Sequence, residues 1–137
     1  VMHPDEVDQV AAVGGRLVLS PHLDVAVLHR CKHLGLLGVC GVATPTEGFA
    51  GLAAGAHALK LFPAEMLGPA VLKAWKAVFP AGTGFLPVGG VGEHNLAAYK
   101  AAGAAGAGIG SSLYSPGVSR GDLRRRADAL VRVWSGT

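Results

Sequence analysis

A lysine in the middle of a short apolar run is the residue of this sequence best placed for covalent chemistry. The run spans 58–63 with Lys60 near its centre, and Gly55 and Pro63 bound it, which predicts a buried strand. Burying an unpaired ammonium is costly and lowers the pKa of the lysine, so a neutral amine that can attack a carbonyl becomes available. The alternative is a strand-end lysine whose alkyl stem packs while its ammonium reaches water.

Two glycine-rich segments later in the chain are suited to binding an anion. They are Gly89-Gly90-Val91 and Gly110-Ser111-Ser112, and each lies at the end of a predicted strand. Consecutive glycines let backbone N–H groups approach an anion, and a nearby helix N-terminus adds positive potential. Two such turns in consecutive positions predict a phosphate site, with simple tight packing as the alternative explanation.

The histidines and cysteines form no pattern typical of a metal site or a disulfide framework. His29 and His33 are spaced so that both could coordinate a metal from one helix face, but their charged neighbours favour a pair that faces solvent. Cys31 and Cys40 lack metal-ligand spacing, and the absence of a Gly-x-Ser-x-Gly elbow gives no support to a hydrolase. We predict no metal and no cofactor, and we assign no catalytic role to the isolated histidines, which are His22, His57 and His94.

Strands and helices alternate along the chain. Apolar runs predict five strands, at 16–20, 36–43, 58–62, 85–91 and 107–113. Helical spacing of apolar residues predicts helices at 4–13, 24–34, 44–55, 68–79 and 93–102, and a last one from Ser119 or Asp122 onward. Thr44 and Glu47 have the spacing of a capping box, and Glu65 is expected in the loop after the third strand.

This alternation predicts an α/β protein in which helices cover a parallel sheet. Such units close into a (β/α)₈ barrel or open into a doubly wound sheet, and no βα turn carries the Rossmann glycine fingerprint, which favours the barrel. Five strands are fewer than closure needs, so residues 1–137 are expected to form one domain, the C-terminal five-eighths of a barrel. In such barrels the reactive groups lie where strands end, which puts Lys60 and both glycine segments on one rim.

Composition restricts the class of protein. Half of the residues are hydrophobic and 15% are charged, which excludes disorder. The net charge of +3 is not arranged as a basic stripe interleaved with aromatic residues, so nucleic acid is excluded as the expected partner, and the basic run 124–126 is interpreted as a solvated helix face. No apolar run approaches the ~20 residues of a membrane span, and no signal peptide is visible, so we expect a soluble, cytoplasmic protein without membrane partners.

Four motifs match, in order and near the right spacing, those of a known family. They are CGVATPTE at 40–47, ALKLFP at 58–63, PVGGV at 87–91 and GIGSSLY at 108–114. On these motifs the chain resembles, over 1–137, the 2-keto-3-deoxy-6-phosphogluconate and 6-phosphogalactonate aldolases. The resemblance implies a class I aldolase of the (β/α)₈ fold, acting on a phosphorylated 2-keto-3-deoxy sugar acid and forming homotrimers.

The resemblance also implies roles for individual residues. Lys60 would form a Schiff base with the keto carbon, so that cleavage yields pyruvate and D-glyceraldehyde 3-phosphate. Phe62 would flank the methyl group of pyruvate, and Pro21 would close the site near it. The phosphate would be bound by four residues of the glycine-rich segments, which are Gly89, Gly90, Gly110 and Ser111. Val88 matches the galactonate-type enzymes, whereas gluconate-type relatives usually carry threonine, and this favours the phosphogalactonate substrate.

The chain departs from the family at the group that moves protons. In the family a glutamate, an arginine and a Gly-Thr pair lie in the first strands, before the position of Val1, and this chain contains none of them. Glu47 and Glu65 are the nearest carboxylates, but Glu47 is better explained as a helix cap and Glu65 as a loop residue. Two other hypotheses remain open: a phosphate-binding barrel isomerase or epimerase that does not need a nucleophilic Lys60, and a non-catalytic half-barrel that associates through its open strand edges.

Overall fold

The computed structural model describes residues 1–136, which contain six helices and four strands. The helices are α1 (Pro4–Ala12), α2 (Val25–His33), α3 (Pro45–Ala53), α4 (Ala64–Lys76), α5 (Glu93–Ala101) and α6 (Arg120–Ser135). The strands are β1 (Leu17–Leu19), β2 (Leu37–Val42), β3 (Ala58–Leu61) and β4 (Phe85–Pro87). None of the helices within 1–136 is both long enough and apolar enough to span a membrane.

The four strands form one parallel sheet in the order in which they occur along the chain. Consecutive parallel strands joined by helices confirm the predicted βα units. In the register, Gly41 of β2 lies beside Lys60 of β3, and Lys60 lies beside Leu86 of β4. The lysine therefore lies in the middle of the sheet, with a hydrogen-bonded strand on each side.

The predicted fifth strand at 107–113 is wrong. Only one bridge forms there, between Val88 and Gly108, and the chain then turns, with the N–H groups of Leu113 and Tyr114 donating to the carbonyl of Gly110. Glycine weakens a strand because it has no side chain to pack and loses more entropy on ordering. The fourth strand is shorter than predicted for a related reason, since Gly89 and Gly90 adopt φ values of 96° and 68°, outside the range of strands.

The two faces of the sheet differ in burial. Leu59 and Leu61 are fully buried in the main core, where they join Leu72 and Trp75 of α4 and Phe85 of β4. Lys60 lies on the opposite face, because side chains alternate along a strand. That face also carries the half-exposed leucines of the first two strands, which are Leu17, Leu19 and Leu37. The helices thus cover one face, and Lys60 projects from the other.

The start of α3 agrees with the sequence, whereas some apolar residues at predicted helix ends are not packed. The capping box of α3 is confirmed, because Thr44 Oγ1 accepts from the N–H of Glu47 at 3.3 Å and Glu47 Oε2 accepts from the N–H of Thr44 at 2.9 Å. Val13, Val78 and Val131, three apolar residues within the predicted helices, are 85%, 63% and 63% exposed. Val13 and Val78 lie just beyond the ends of α1 and α4, where the chain has already left the packed face.

The helix after the lysine strand begins earlier than predicted. It starts at Ala64, so Glu65 lies in the first turn of α4 and not in a loop. The backbone leaves the helical conformation at Gly68, with φ 71° and ψ 167°, and Pro69 begins the portion that the sequence predicts. The Gly-Pro pair hid the first turn, because both residues are ordinary signals of a helix boundary.

Candidate functional site

Lys60 is a buried lysine whose ammonium lies over an aromatic ring. The side chain is 7% exposed, and its Nζ is 4.0 Å from the centroid of the Phe62 ring. Burial lowers the pKa of Lys60, because removing water disfavours the charged form. The ring acts in the opposite direction, since its π face attracts a cation. Lys60 therefore combines a lowered pKa with a fixed position, which are two requirements of an amine nucleophile.

A cavity of ≈ 190 Å³ lies at the ends of β3 and β4. It brings together most of the residues singled out from the sequence, since its lining consists of Phe62, Val88, Gly89, Gly90, Val91, Gly108, Gly110, Ser111 and Ser112. Lys60 and Pro21 are not part of this lining. Phe62 connects the two regions, because its ring contacts Lys60 and also borders the cavity.

The two glycines after β4 are required by their surroundings. Both have positive φ, and a Cβ on Gly89 would lie 3.3 Å from the Phe62 ring. A Cβ on Gly90 would lie 2.6 Å from Oε2 of Glu65, which is closer than real side chains approach. Within residues 1–136 no backbone hydrogen bond uses the N–H of Gly90, Gly110 or Ser111. Such free N–H groups beside a cavity are suited to an anion such as phosphate.

A short segment links the exit of the lysine strand to this cavity. The N–H of Ala64 donates to the carbonyl of Val88 at 2.8 Å, and the N–H of Glu65 donates to the carbonyl of Gly89 at 3.1 Å. From α5, the hydroxyl of the fully buried Tyr99 donates to the carbonyl of Ala64 at 2.7 Å. Residues 62–65 are thus held on both sides, which fixes the distance between Lys60 and the glycine turn.

Pro21 lies at the end of β1, next to β2. A Cβ on Gly41 would lie only 2.1 Å from the carbonyl oxygen of Pro21, so the backbone at Pro21 can lie this close to β2 only because residue 41 is glycine. Gly41 of β2 is the register partner of Lys60 of β3. Pro21 follows β1 and lies against Gly41, so it is on the same rim of the sheet as Lys60, two strands away. Pro21 is exposed to solvent.

The two carboxylates considered from the sequence have different environments. Glu47 accepts from the N–H groups of Ala43 and Thr44, at 2.8 and 2.9 Å, and these bonds lower its pKa. Its role as a helix cap is confirmed. Glu65 instead projects beside Gly90, where its carboxylate accepts no hydrogen bond from the described residues.

Sequence reasoning missed the contacts that three residues make at the site, namely Tyr99, Gly41 and Glu65. Tyr99 lies in the helix predicted at 93–102, but the apolar pattern of that helix cannot show that the Tyr99 hydroxyl reaches a carbonyl on another element. Gly41 is one of 21 glycines, and the close approach that requires it is between strands far apart in sequence. The position of Glu65 was hidden by the early start of α4.

Other candidate groups do not join the site. His29 and His33 are exposed on α2, and residues 1–136 contain no cluster of three or more histidine, cysteine or acidic side chains able to hold a metal. Burial raises the pKa of Cys40 to about 11, so this thiol is protonated at neutral pH. A larger groove of ≈ 280 Å³ lies between α5 and α6, but its lining is apolar, consisting of Leu96, Gly106, Ala107, Ile109, Leu130, Val131 and Trp134.

Comparison with known proteins decides the family. The family model described as "Aldolase: KDPG and KHG aldolase" matches residues 1–128. The chain belongs to this family. It is 46% identical over 134 residues to a probable 2-dehydro-3-deoxy-6-phosphogalactonate aldolase of Rhizobium meliloti (strain 1021), covering 98% of this chain and 63% of that protein. It is 42% identical over 134 residues to the 2-dehydro-3-deoxy-6-phosphogalactonate aldolase of Escherichia coli (strain K12), covering 98% of this chain and 65% of that protein.

Solved structures place the fold in the same family. A structure described as native KDPGal superposes with a TM-score of 0.96 and 41% identity, covering 99% of this chain and 66% of that one. The chain thus spans slightly less than two thirds of the length of each of these three relatives. Its parallel sheet and helices are part of a barrel of this family, which confirms the predicted α/β barrel class.

Proposed function

We propose that this chain carries the Schiff-base lysine and the phosphate-binding turns of a class I aldolase. The proposed reaction is cleavage of 2-dehydro-3-deoxy-6-phospho-D-galactonate to pyruvate and D-glyceraldehyde 3-phosphate. The observation that carries the proposal is Lys60, buried and with a lowered pKa, held against a phenylalanine that borders a glycine-lined cavity. The names of the relatives from R. meliloti and E. coli support the substrate.

The chemistry follows from the amine. Neutral Lys60 adds to the keto carbon to give a carbinolamine, and loss of water gives a protonated imine. The bond between C3 and C4 then breaks, its electron pair moves into the imine to form an enamine, and the C4 hydroxyl proton leaves as the aldehyde forms. Protonation of the enamine and hydrolysis release pyruvate and restore the amine. Glu47 is given no part in these proton transfers, because its Oε2 accepts from the N–H groups of Ala43 and Thr44 in the cap of α3.

The cavity supplies the second anchor. The phosphate of the substrate would bind the free N–H groups of Gly90, Gly110 and Ser111, while Phe62, which borders the cavity, would flank the pyruvate end. The family resemblance alone supports the role of Pro21 in closing that end. Holding both ends positions the bond to be cleaved, which accelerates the reaction without any metal. The proposal includes a single domain over 1–137, assembly into homotrimers and a cytoplasmic location, all taken from the family resemblance and the composition.

Val88 is proposed to favour the galactonate isomer. It lines the cavity, its N–H donates to the carbonyl of Leu61 at 3.0 Å, and its side chain lies against Gly108. A methyl group in this position cannot hydrogen-bond a substrate hydroxyl, whereas the threonine of gluconate-type relatives can. The gluconate-type substrate is the alternative, and it would be supported if the gluconate isomer were cleaved more efficiently than the galactonate isomer.

The test is reductive trapping with pyruvate. Borohydride is added in the presence of pyruvate, and peptide mass mapping locates the reduced adduct. We expect the adduct on Lys60 and none in Lys60→Arg, whereas Lys73→Arg, a substitution of an exposed lysine on α4, should be trapped like the original protein. Absence of an adduct on Lys60 would overturn the proposal, and isomerase or epimerase activity that is retained in Lys60→Arg would favour that alternative.

A further inference from the structure

Glu65 places a negative charge against the turn that is proposed to bind phosphate. Its Oε2 lies 2.6 Å, and its Cβ 2.7 Å, from the position of a Cβ on Gly90, so the carboxylate packs directly on that glycine. The carboxylate accepts no hydrogen bond from the described residues, and therefore no protein donor offsets its charge there. Its charge also raises the pKa of Tyr99, after the larger effect of burial.

The backbone that carries this exposed carboxylate is held at the turn. The N–H of Glu65 donates to the carbonyl of Gly89, and the preceding Ala64 is held by Val88 on one side and Tyr99 on the other. The backbone of Glu65 is thus bonded to the same glycine turn that lines the cavity. With the Glu65 carboxylate packed on Gly90 as the structure shows, an anion bound at Gly90 would lie within a few ångströms of a like charge, where repulsion is appreciable even close to solvent.

We propose that Glu65 determines specificity by weakening the binding of every ligand that is held through its phosphate alone. The inference rests on the proposed function, since it assumes that the glycine turns bind phosphate. A ligand that also engages Lys60 has a second anchor and tolerates the repulsion, whereas inorganic phosphate does not. After cleavage, the aldehyde product is bound only through its phosphate, so the same repulsion favours its release.

The test measures phosphate binding directly, without any turnover. Amide resonances of the glycine turns are followed by NMR while inorganic phosphate is added at constant ionic strength, for the full chain and for Glu65→Gln. Glutamine keeps the shape and removes the charge. We expect Glu65→Gln to bind phosphate with a Kd lower by about tenfold, the repulsion expected between a carboxylate and a dianion roughly 6 Å apart in a water-like dielectric. Asp5→Asn, which removes a distant carboxylate from α1, should leave the Kd unchanged.

Two further measurements make the outcome decisive. Glu65→Asp keeps the charge but draws it back from Gly90, so it should give a Kd between those of the original chain and Glu65→Gln. An unchanged or higher Kd in Glu65→Gln, or the absence of any glycine shift with phosphate, would overturn the inference. Pyruvate trapping on Lys60 does not depend on phosphate, so it reports separately whether the aldolase proposal itself fails.

Discussion

Lys60 and Phe62, two residues apart, form a cation–π contact in which Nζ lies 4.0 Å from the ring centroid. The lysine belongs to β3, and the phenylalanine follows that strand's last residue, Leu61. The same ring lies 3.3 Å from the position of a Cβ on Gly89. One aromatic side chain therefore contacts both the nucleophile and the phosphate turn, and it separates the two proposed anchors of the substrate.

Replacing Phe62 should make the pKa of Lys60 lower still. The ring stabilises the ammonium by ~1 kcal/mol, so Phe62→Leu is expected to shift the pH profile of pyruvate trapping downward by about half a unit or more. The profile is measured by borohydride trapping at a series of pH values. Phe49→Leu is the matched control, because Phe49 is 44% exposed and stacks on Phe79 away from the lysine. An upward shift in Phe62→Leu would contradict the contact.

The buried lysine should also cost the protein stability at neutral pH. Burial lowers the pKa of Lys60 below its ordinary 10.5, so between the lowered value and 10.5 the unfolded state binds more protons than the folded state. Stability attributable to this group therefore rises with pH across that window. Lys60→Met removes the cost, and its gain in free energy of unfolding should shrink as the pH approaches 10.5.

Urea denaturation at several pH values tests this directly. Lys73→Met, made at an exposed position on α4, should show no such pH dependence relative to the original chain. If the difference in free energy of unfolding between Lys60→Met and the original chain stays constant up to pH 10.5, the lysine has the same pKa in the folded and unfolded states, which contradicts the prediction.

Substrate choice should respond to a single hydroxyl in the cavity. Val88→Thr is nearly isosteric, and we expect it to raise the ratio of kcat/KM for the gluconate over the galactonate isomer by about fivefold, the effect of one hydrogen bond of ~1 kcal/mol. The two isomers are compared in the same pyruvate-release assay. Val78→Thr, at a 63% exposed position, serves as the control and should leave the ratio as it is. An unchanged ratio in Val88→Thr would remove Val88 from substrate selection.

The sequence predicts the strand-borne lysine and the glycine turns because both depend on local signals. Apolar runs mark β3, and paired glycines mark the turn after β4, where positive φ is needed. Contacts between elements were not predictable. The prediction of a fifth strand was wrong because the apolar pattern at 107–113 does not reveal that strand pairing stops after the single bridge of Gly108 and that the chain turns from Gly110 onward. The capping signal of Glu47 was local and was correctly interpreted, whereas the contact of Glu65 with Gly90 joins two different βα units.

The hydroxyl of Tyr99 should stabilise both the fold and the phosphate site. It donates to the carbonyl of Ala64 at 2.7 Å in a fully buried position, so Tyr99→Phe leaves that carbonyl without its partner. We expect the free energy of unfolding to fall by ~1–3 kcal/mol, the usual cost of an unsatisfied buried group.

Since Ala64 and Glu65 are bonded to Val88 and Gly89, loosening them should also weaken phosphate binding, while pyruvate trapping on Lys60 is retained. Urea denaturation and the phosphate titration measure the two effects, and Tyr114→Phe, at a 59% exposed position, is the control. If Tyr99→Phe lost stability but kept the phosphate Kd of the original chain, the hydroxyl would support packing alone and not the geometry of the glycine turn.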